Sequence, residues 1–126
     1  MSDKRVLVVD DDADLREVIV LALRDAGLEV DEASDGLRAL DMLAAGLRPS
    51  LILVDLVMPV LDGRAFIRKL GNFGPQVAQT PVLVLTASSR PVLPGDVPVL
   101  GKPFDAFELV RRVNEILGLP QHAVAC

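Results

Sequence analysis

An α/β fold with a parallel sheet held between two helical layers is what this sequence predicts, and three observations carry that prediction. Short aliphatic runs alternate with longer amphipathic stretches, the pattern of βαβ units. The central runs are apolar at successive positions, as strands covered on both faces require, whereas a strand with one wet face would alternate. Acids and other polar residues stand directly after those runs, at the carboxyl edge where open parallel sheets bind ligands.

Taken in order, the strand-length aliphatic runs are residues 6–9, 28–30, 51–54, 82–85 and 97–100. Between the first two, residues 13–26 read as a helix with Leu15, Val18, Ile19, Ala22 and Ala26 on one face. Gly27 follows, suited to a left-handed cap. A second helix over 36–45 opens at Asp35, a good N-cap, carries Leu40 and Leu43, and stops at Gly46. A third begins after Asp62 and fades by Gly71, since Gly71, Gly74 and Pro75 make the stretch before Thr80 a loop. The last helix is the clearest. Asp105 and Glu108 form a capping-box-like start, and Ala106, Leu109, Val110, Val113, Ile116 and Leu117 keep helical spacing. Gly118 and Pro120 then end it.

The length of 126 residues fits one domain, and no repeat is visible. With 51% hydrophobic and 25% charged residues the composition is globular rather than disordered. The single cysteine, Cys126, cannot form an internal disulfide, so a reducing, cytoplasmic home is expected. The longest apolar run, residues 18–23, is far short of a membrane span, and the N-terminus does not read as a signal peptide. A soluble protein with no membrane partner is expected. A net charge of −5 argues against nucleic-acid binding by this domain, because phosphate contacts need clustered Lys and Arg.

The chemistry should lie at the strand ends. Asp10, Asp11 and Asp12 follow the first strand, and Asp55 follows the third. Two unit charges about 4 Å apart repel by roughly 4 kcal/mol at an effective dielectric near 20, so converging carboxylates call for protons or a cation. Carboxylate oxygens, a backbone carbonyl and waters suit Mg2+. Asp12 and Asp14 read more simply as caps of the first helix. Thr86 and Lys102, after the fourth and fifth strands, add a hydroxyl and an ammonium to the same rim. Lys102 there serves either as a counter-charge or in the chemistry itself. This set holds no histidine, cysteine or glycine-rich phosphate loop, and it suits phosphoryl chemistry on Asp55. A carboxylate can attack phosphorus to give an acyl phosphate while cations offset charge on the transferring oxygens.

VLVVDDDADLRE, EASDG at 32–36, LVDLVMPVLDG at 53–63, PVLVLTA at 81–87 and GKPF at 101–104 together resemble the receiver domain of two-component response regulators, including its chemotaxis member. The resemblance covers about residues 5–117 and implies a flavodoxin-like, five-stranded sheet of order 2-1-3-4-5. It divides the chain into a receiver over 1–118 and a tail, or the start of a linker, over 119–126. By this resemblance Asp55 is the phosphoacceptor, charged from a histidine kinase or phosphotransfer protein, or from small acyl phosphates. Asp11 and Asp55 would bind Mg2+ directly, Asp10 through water, and the Val57 carbonyl would complete the protein ligands. Thr86 and Lys102 would contact the phosphoryl oxygens, and the Lys102–Pro103 peptide would be cis. The domain would not be an enzyme beyond slow self-dephosphorylation, and it would signal to an effector protein or through a homodimer.

Two departures from the family pattern matter. Its switch aromatic on the fifth strand falls at Val99, and the chain has no tyrosine or tryptophan. Between Thr86 and the fifth strand, residues 87–96 include Pro91, Pro94 and Gly95, so the fourth helix of the family should be missing or a single turn. Val92 and Leu93 are then expected to pack on the sheet face that the helix would cover, unless a partner or second copy covers it. These departures sustain a second reading, a pseudo-receiver that binds proteins without a phosphorylation switch. An aspartate-nucleophile phosphatase fits less well, because Val57 stands where such enzymes need a second acid. A flavin-binding relative fits least, since acids after the first strand would repel the cofactor phosphate. Val57 and Ser88 lie two residues beyond Asp55 and Thr86, positions that in the family tune phosphoryl loss. Valine cannot orient a water by hydrogen bonding, so a long-lived phosphorylated form is expected.

Overall fold

A computed structural model describes residues 4–88, 91, 93 and 95–121. In chain order it comprises β1 (Arg5–Val9), α1 (Ala13–Asp25), β2 (Glu29–Ala33), α2 (Gly36–Ala44), β3 (Leu51–Asp55) and α3 (Gly63–Leu70). A 3-10 turn (Gly71–Phe73), α4 (Pro75–Ala78), β4 (Val82–Thr86), β5 (Val99–Gly101) and α5 (Ala106–Leu117) follow. The strands form one parallel sheet of order β2-β1-β3-β4-β5, so every strand delivers its carboxyl end to the same edge.

The unbroken apolar runs are explained by two cores. Val6, Val8, Leu51, Leu53, Leu83 and Leu85 face α1 and α5, where Ile19, Leu23, Leu109 and Val113 meet them. The alternate residues, Leu7, Val9, Ile52, Val54, Val82 and Val84, face α2 and α3, where Ala39, Leu43, Phe66 and Leu70 complete the layer. Each fully buried aliphatic side chain of this kind contributes about 2 kcal/mol by leaving water. β2 is an edge strand with alternate exposure, and it runs on through Asp31 and Glu32, beyond the aliphatic residues that announce it. Arg5 of β1 ties it down by an ion pair with Asp31 at 2.6 Å.

Three local expectations are corrected. Val18 and Ala26 of the first helical stretch are exposed, while Val20 and Leu23 are buried beside Ile19. Six consecutive apolar residues define no unique helical face, and the phase is set by packing on β1 and β2. The stretch before Thr80 is not a loop but a 3-10 turn followed by α4. Gly74, at φ +91°, redirects the chain, and Pro75 takes the first helical position, where its missing N–H costs nothing. Finally, β5 starts at Val99 rather than Val97. Pro98 has no N–H for the ladder, although its carbonyl accepts from Val84 at 3.0 Å.

In the β4–β5 crossover, none of the described residues is helical, in keeping with the prolines there. Leu93, Val97 and Val99 are half-buried and pack against the core on the α2–α3 side of the sheet. Leu93 thus does what was expected of it, whereas Val92 lies outside the described residues. Leu119, just past α5, packs against the opposite core. Among the described residues no helix is long and apolar enough to cross a membrane.

Candidate functional site

Asp10 leaves β1 at the seam with β2, its N–H donating to the Ala33 carbonyl at 3.2 Å, and it is fully buried. Its Oδ1 accepts from the Asp12 N–H at 2.9 Å, whereas its Oδ2 is buried without a hydrogen-bond partner. Asp55 is the last residue of β3 and is also buried. Its Oδ1 accepts from the Val57 N–H at 3.3 Å and lies 3.3 Å from Lys102 Nζ, which stands 3.8 Å from Asp10 Oδ2. Asp11 is exposed, yet one oxygen from each of Asp10, Asp11 and Asp55 falls within 4.8 Å of the others.

Lys102 is brought into reach by β5. Its N–H donates to the Thr86 carbonyl at 2.8 Å, and the next peptide, Lys102–Pro103, is cis. Thr86 ends β4 almost fully buried, and its Oγ1 accepts from the Ser88 N–H at 3.0 Å. Asp12 is the N-cap of α1, accepting from the Asp14 and Leu15 amides, so its acid is accounted for by local structure. Val57 projects into solvent with 74% of its surface exposed.

Three carboxylates against one ammonium leave the rim negative. Burial pushes the Asp10 carboxyl above its ordinary range, and the charges on Asp55 and Asp11 push the same way. The Asp12 amide and Lys102 oppose them. The Oδ2 of Asp10, without a hydrogen-bond partner beside two further carboxylates, is a donor set suited to a hard divalent cation.

Several residues that shape this rim are not evident from the sequence. Arg16, one turn into α1, reaches back to donate through Nη1 to the Asp10 carbonyl at 2.7 Å and through Nε to Glu32 at 3.0 Å. Its place in DLRE gives no hint of this, beyond the backward slant of helical side chains. Gly63 begins α3 so close to β3 that a Cβ would lie 2.8 Å from the Asp55 carbonyl oxygen and 2.9 Å from Leu56 Cα. Its N–H donates to the Leu56 carbonyl at 2.9 Å, closing the loop over the site. Within that loop the Leu61 N–H donates to the Pro59 carbonyl at 2.7 Å, a γ-turn. Val60 at its centre has φ +71°, a strained conformation for a β-branched residue.

A doubly wound parallel sheet with buried acids at the ends of β1 and β3, and a lysine after β5, defines a flavodoxin-like domain whose ligand site lies at the carboxyl edge of the sheet. The response regulator receiver domain model matches residues 6–114, and the chain belongs to this family. It is 40% identical over 119 residues to the response regulator MprA of Mycobacterium tuberculosis H37Rv, covering 90% of this chain and 50% of that protein. The chain therefore spans about half the length of the curated relatives it matches. Among solved structures it is similar to chemotaxis response regulator CheY4 of Vibrio cholerae, with a TM-score of 0.81 and 31% identity, covering 91% of this chain and 99% of that one. It is also similar to the receiver domain of sensor histidine kinase PA1611 of Pseudomonas aeruginosa PAO1, whose structure has a magnesium ion coordinated in the active-site cleft. There the TM-score is 0.80 at 29% identity, covering 93% of this chain and 99% of that one.

Proposed function

We propose that this domain accepts a phosphoryl group on Asp55 in a Mg2+-dependent step and passes the signal on by protein contacts. The observation that carries the reading is the Asp55 carboxylate at the end of β3, 3.3 Å from Lys102 and within 4.8 Å of Asp10 and Asp11 oxygens. In the transfer an Asp55 oxygen forms a bond to phosphorus as the P–N bond of a donor phosphohistidine breaks, and the imidazole leaves with that electron pair. Asp55 meets the donor already aligned by the Val57 amide on Oδ1. Lys102 stands where it can offset negative charge on the transferring oxygens, and Thr86 offers its hydroxyl to the same oxygens. Asp11, Asp55 and the Val57 carbonyl would hold Mg2+ directly and Asp10 through water; the ion would add positive charge at the transferring group.

The donor is a histidine kinase or phosphotransfer protein in the cytoplasm, and the recipient an effector protein or a second copy of the chain. Residues 1–118 act as the receiver, with 119–126 as a tail or the start of a linker. The domain is a phosphoacceptor rather than an enzyme, with at most slow self-dephosphorylation. Because Val57 cannot orient an attacking water, the phosphorylated form is long-lived. Incubation with Mg2+ and a small acyl phosphate should add one phosphoryl group by intact mass. That mass should persist after donor removal and be absent in Asp55→Asn. An unmodified wild-type chain, or equal labelling of the variant, would overturn the assignment, and rapid loss of label would overturn the role given to Val57.

A further inference from the structure

Asp10 is held by its main chain as well as by its side chain. Its N–H donates to the Ala33 carbonyl at 3.2 Å, and Ala33 is the last residue of β2. A parallel ladder would next pair the Asp10 carbonyl with an amide further along β2, but the strand has ended, and Asp10 has no exposed surface through which water could serve instead. Arg16 Nη1 donates to that carbonyl at 2.7 Å, while Nε of the same guanidinium donates to Glu32 of β2 at 3.0 Å. The Arg16 side chain is mostly buried and spans the corner where β1 turns into α1, and its own N–H donates to the Asp12 carbonyl at 2.9 Å.

We propose that Arg16 is a positioning residue for the cation site, acting through the peptide that joins Asp10 to Asp11; the inference rests on the reading of Asp10, Asp11 and Asp55 as the Mg2+ site. That peptide is planar, so a bond that fixes the Asp10 carbonyl fixes the direction in which the chain leaves for Asp11. Asp11 is exposed, so its approach to Asp10 and Asp55 is set by its backbone rather than by packing. The guanidinium acts on a cation in two ways of opposite sign. Its charge beside the acidic rim repels a cation, so by charge alone its loss would tighten binding. Its bond to the Asp10 carbonyl holds the ligands in place, and Mg2+ demands near-ideal octahedral geometry, so by position its loss weakens binding. Position prevails here, because Glu32 already offsets the charge of the guanidinium and leaves little repulsion to relieve.

Calorimetric Mg2+ titrations of the unaltered chain, Arg16→Met, Arg16→Lys and Asp55→Asn test this, with each variant first shown to be folded by thermal unfolding in chelator. A hollow of about 460 Å3 borders Arg16 between β2 and α2, so water can reach the Asp10 carbonyl once methionine replaces the guanidinium. Arg16→Met should bind Mg2+ about tenfold more weakly, or worse. Arg16→Lys keeps the charge but not the fixed fork of donors, and should also bind more weakly than the unaltered chain, by a smaller factor. A purely structural role would lower the unfolding temperature and leave the affinity of the folded variants unchanged. A purely electrostatic role would tighten binding in Arg16→Met and leave Arg16→Lys equal to the unaltered chain. Either result would overturn the assignment. If Arg16→Met does not fold, Arg16→Lys decides alone, weaker binding supporting the assignment and equal or tighter binding overturning it. No Mg2+ uptake by the unaltered chain, or equal uptake by Asp55→Asn, would instead sink the reading of the site, and this assignment with it.

Discussion

Asp10 is fully buried with two other carboxylates in reach and one lysine to offset them. Its burial opposes folding, and on the proposed reading it serves cation binding. In metal-free protein Asp10→Asn should keep the Oδ1 bond from the Asp12 amide, remove one buried charge, and raise stability by about 1 kcal/mol at neutral pH. The sign of the pH dependence follows from burial. Asp10 holds its proton more tightly folded than unfolded, so its contribution to stability improves as pH falls through the raised folded value and is lost as pH rises through it. The advantage of Asp10→Asn should therefore be largest near neutrality and shrink toward acid. Urea unfolding in chelator across pH reads this directly, and an advantage that grows toward acid would contradict it. At this scale the sequence was legible where a polar residue directly follows an aliphatic run, as for Asp10, Asp11, Asp55, Thr86 and Lys102. Arg16 and Gly63 were not legible, because what they do depends on backbone from other segments approaching them, and Val60 was not, because a valine gives no sign of a positive φ.

The seam between β3 and α3 decides how Asp55 is presented. No atom can stand between the start of the helix and the carbonyl of Asp55, so Gly63→Ala must push α3 outward or twist the end of β3. A loss of about 2 kcal/mol is expected. Mg2+ affinity measured by calorimetry should fall with it, because Asp55 and the Val57 carbonyl shift together. A variant with wild-type stability and affinity would show that the seam yields freely. The strands with two covered faces were readable from their unbroken aliphatic pattern, and helices with a cap and a stop were placed nearly to the residue, as α5 was by Asp105 and Gly118. Elements failed where local chemistry is ambiguous. The run from Val18 to Leu23 suits any helical phase, and a proline that breaks a helix interior can also begin one, as Pro75 does. The β4–β5 crossover was readable for the opposite reason, since closely spaced prolines leave little room for helix.

For the molecule as a whole, the negative rim predicts linkage between cation and fold. Mg2+ at about a hundred times its dissociation constant should add about 2.7 kcal/mol to unfolding stability. Asp55→Asn should lose most of that gain while folding normally without the ion. Thermal unfolding with and without Mg2+ measures both, and an equal gain in the variant would place the cation elsewhere. The sheet order β2-β1-β3-β4-β5 was expected from the motif resemblance and is present, while the stretch 63–95, which holds bases and no acid, leaves no trace in the net charge. β4 runs from Val82 at its amino end to Thr86 at the rim, four residue steps or about 13 Å apart. A charge placed at the amino ends of the strands is thus more than a Debye length from the Asp55 carboxylate at ordinary salt, so substitutions there should leave cation uptake at the rim unchanged.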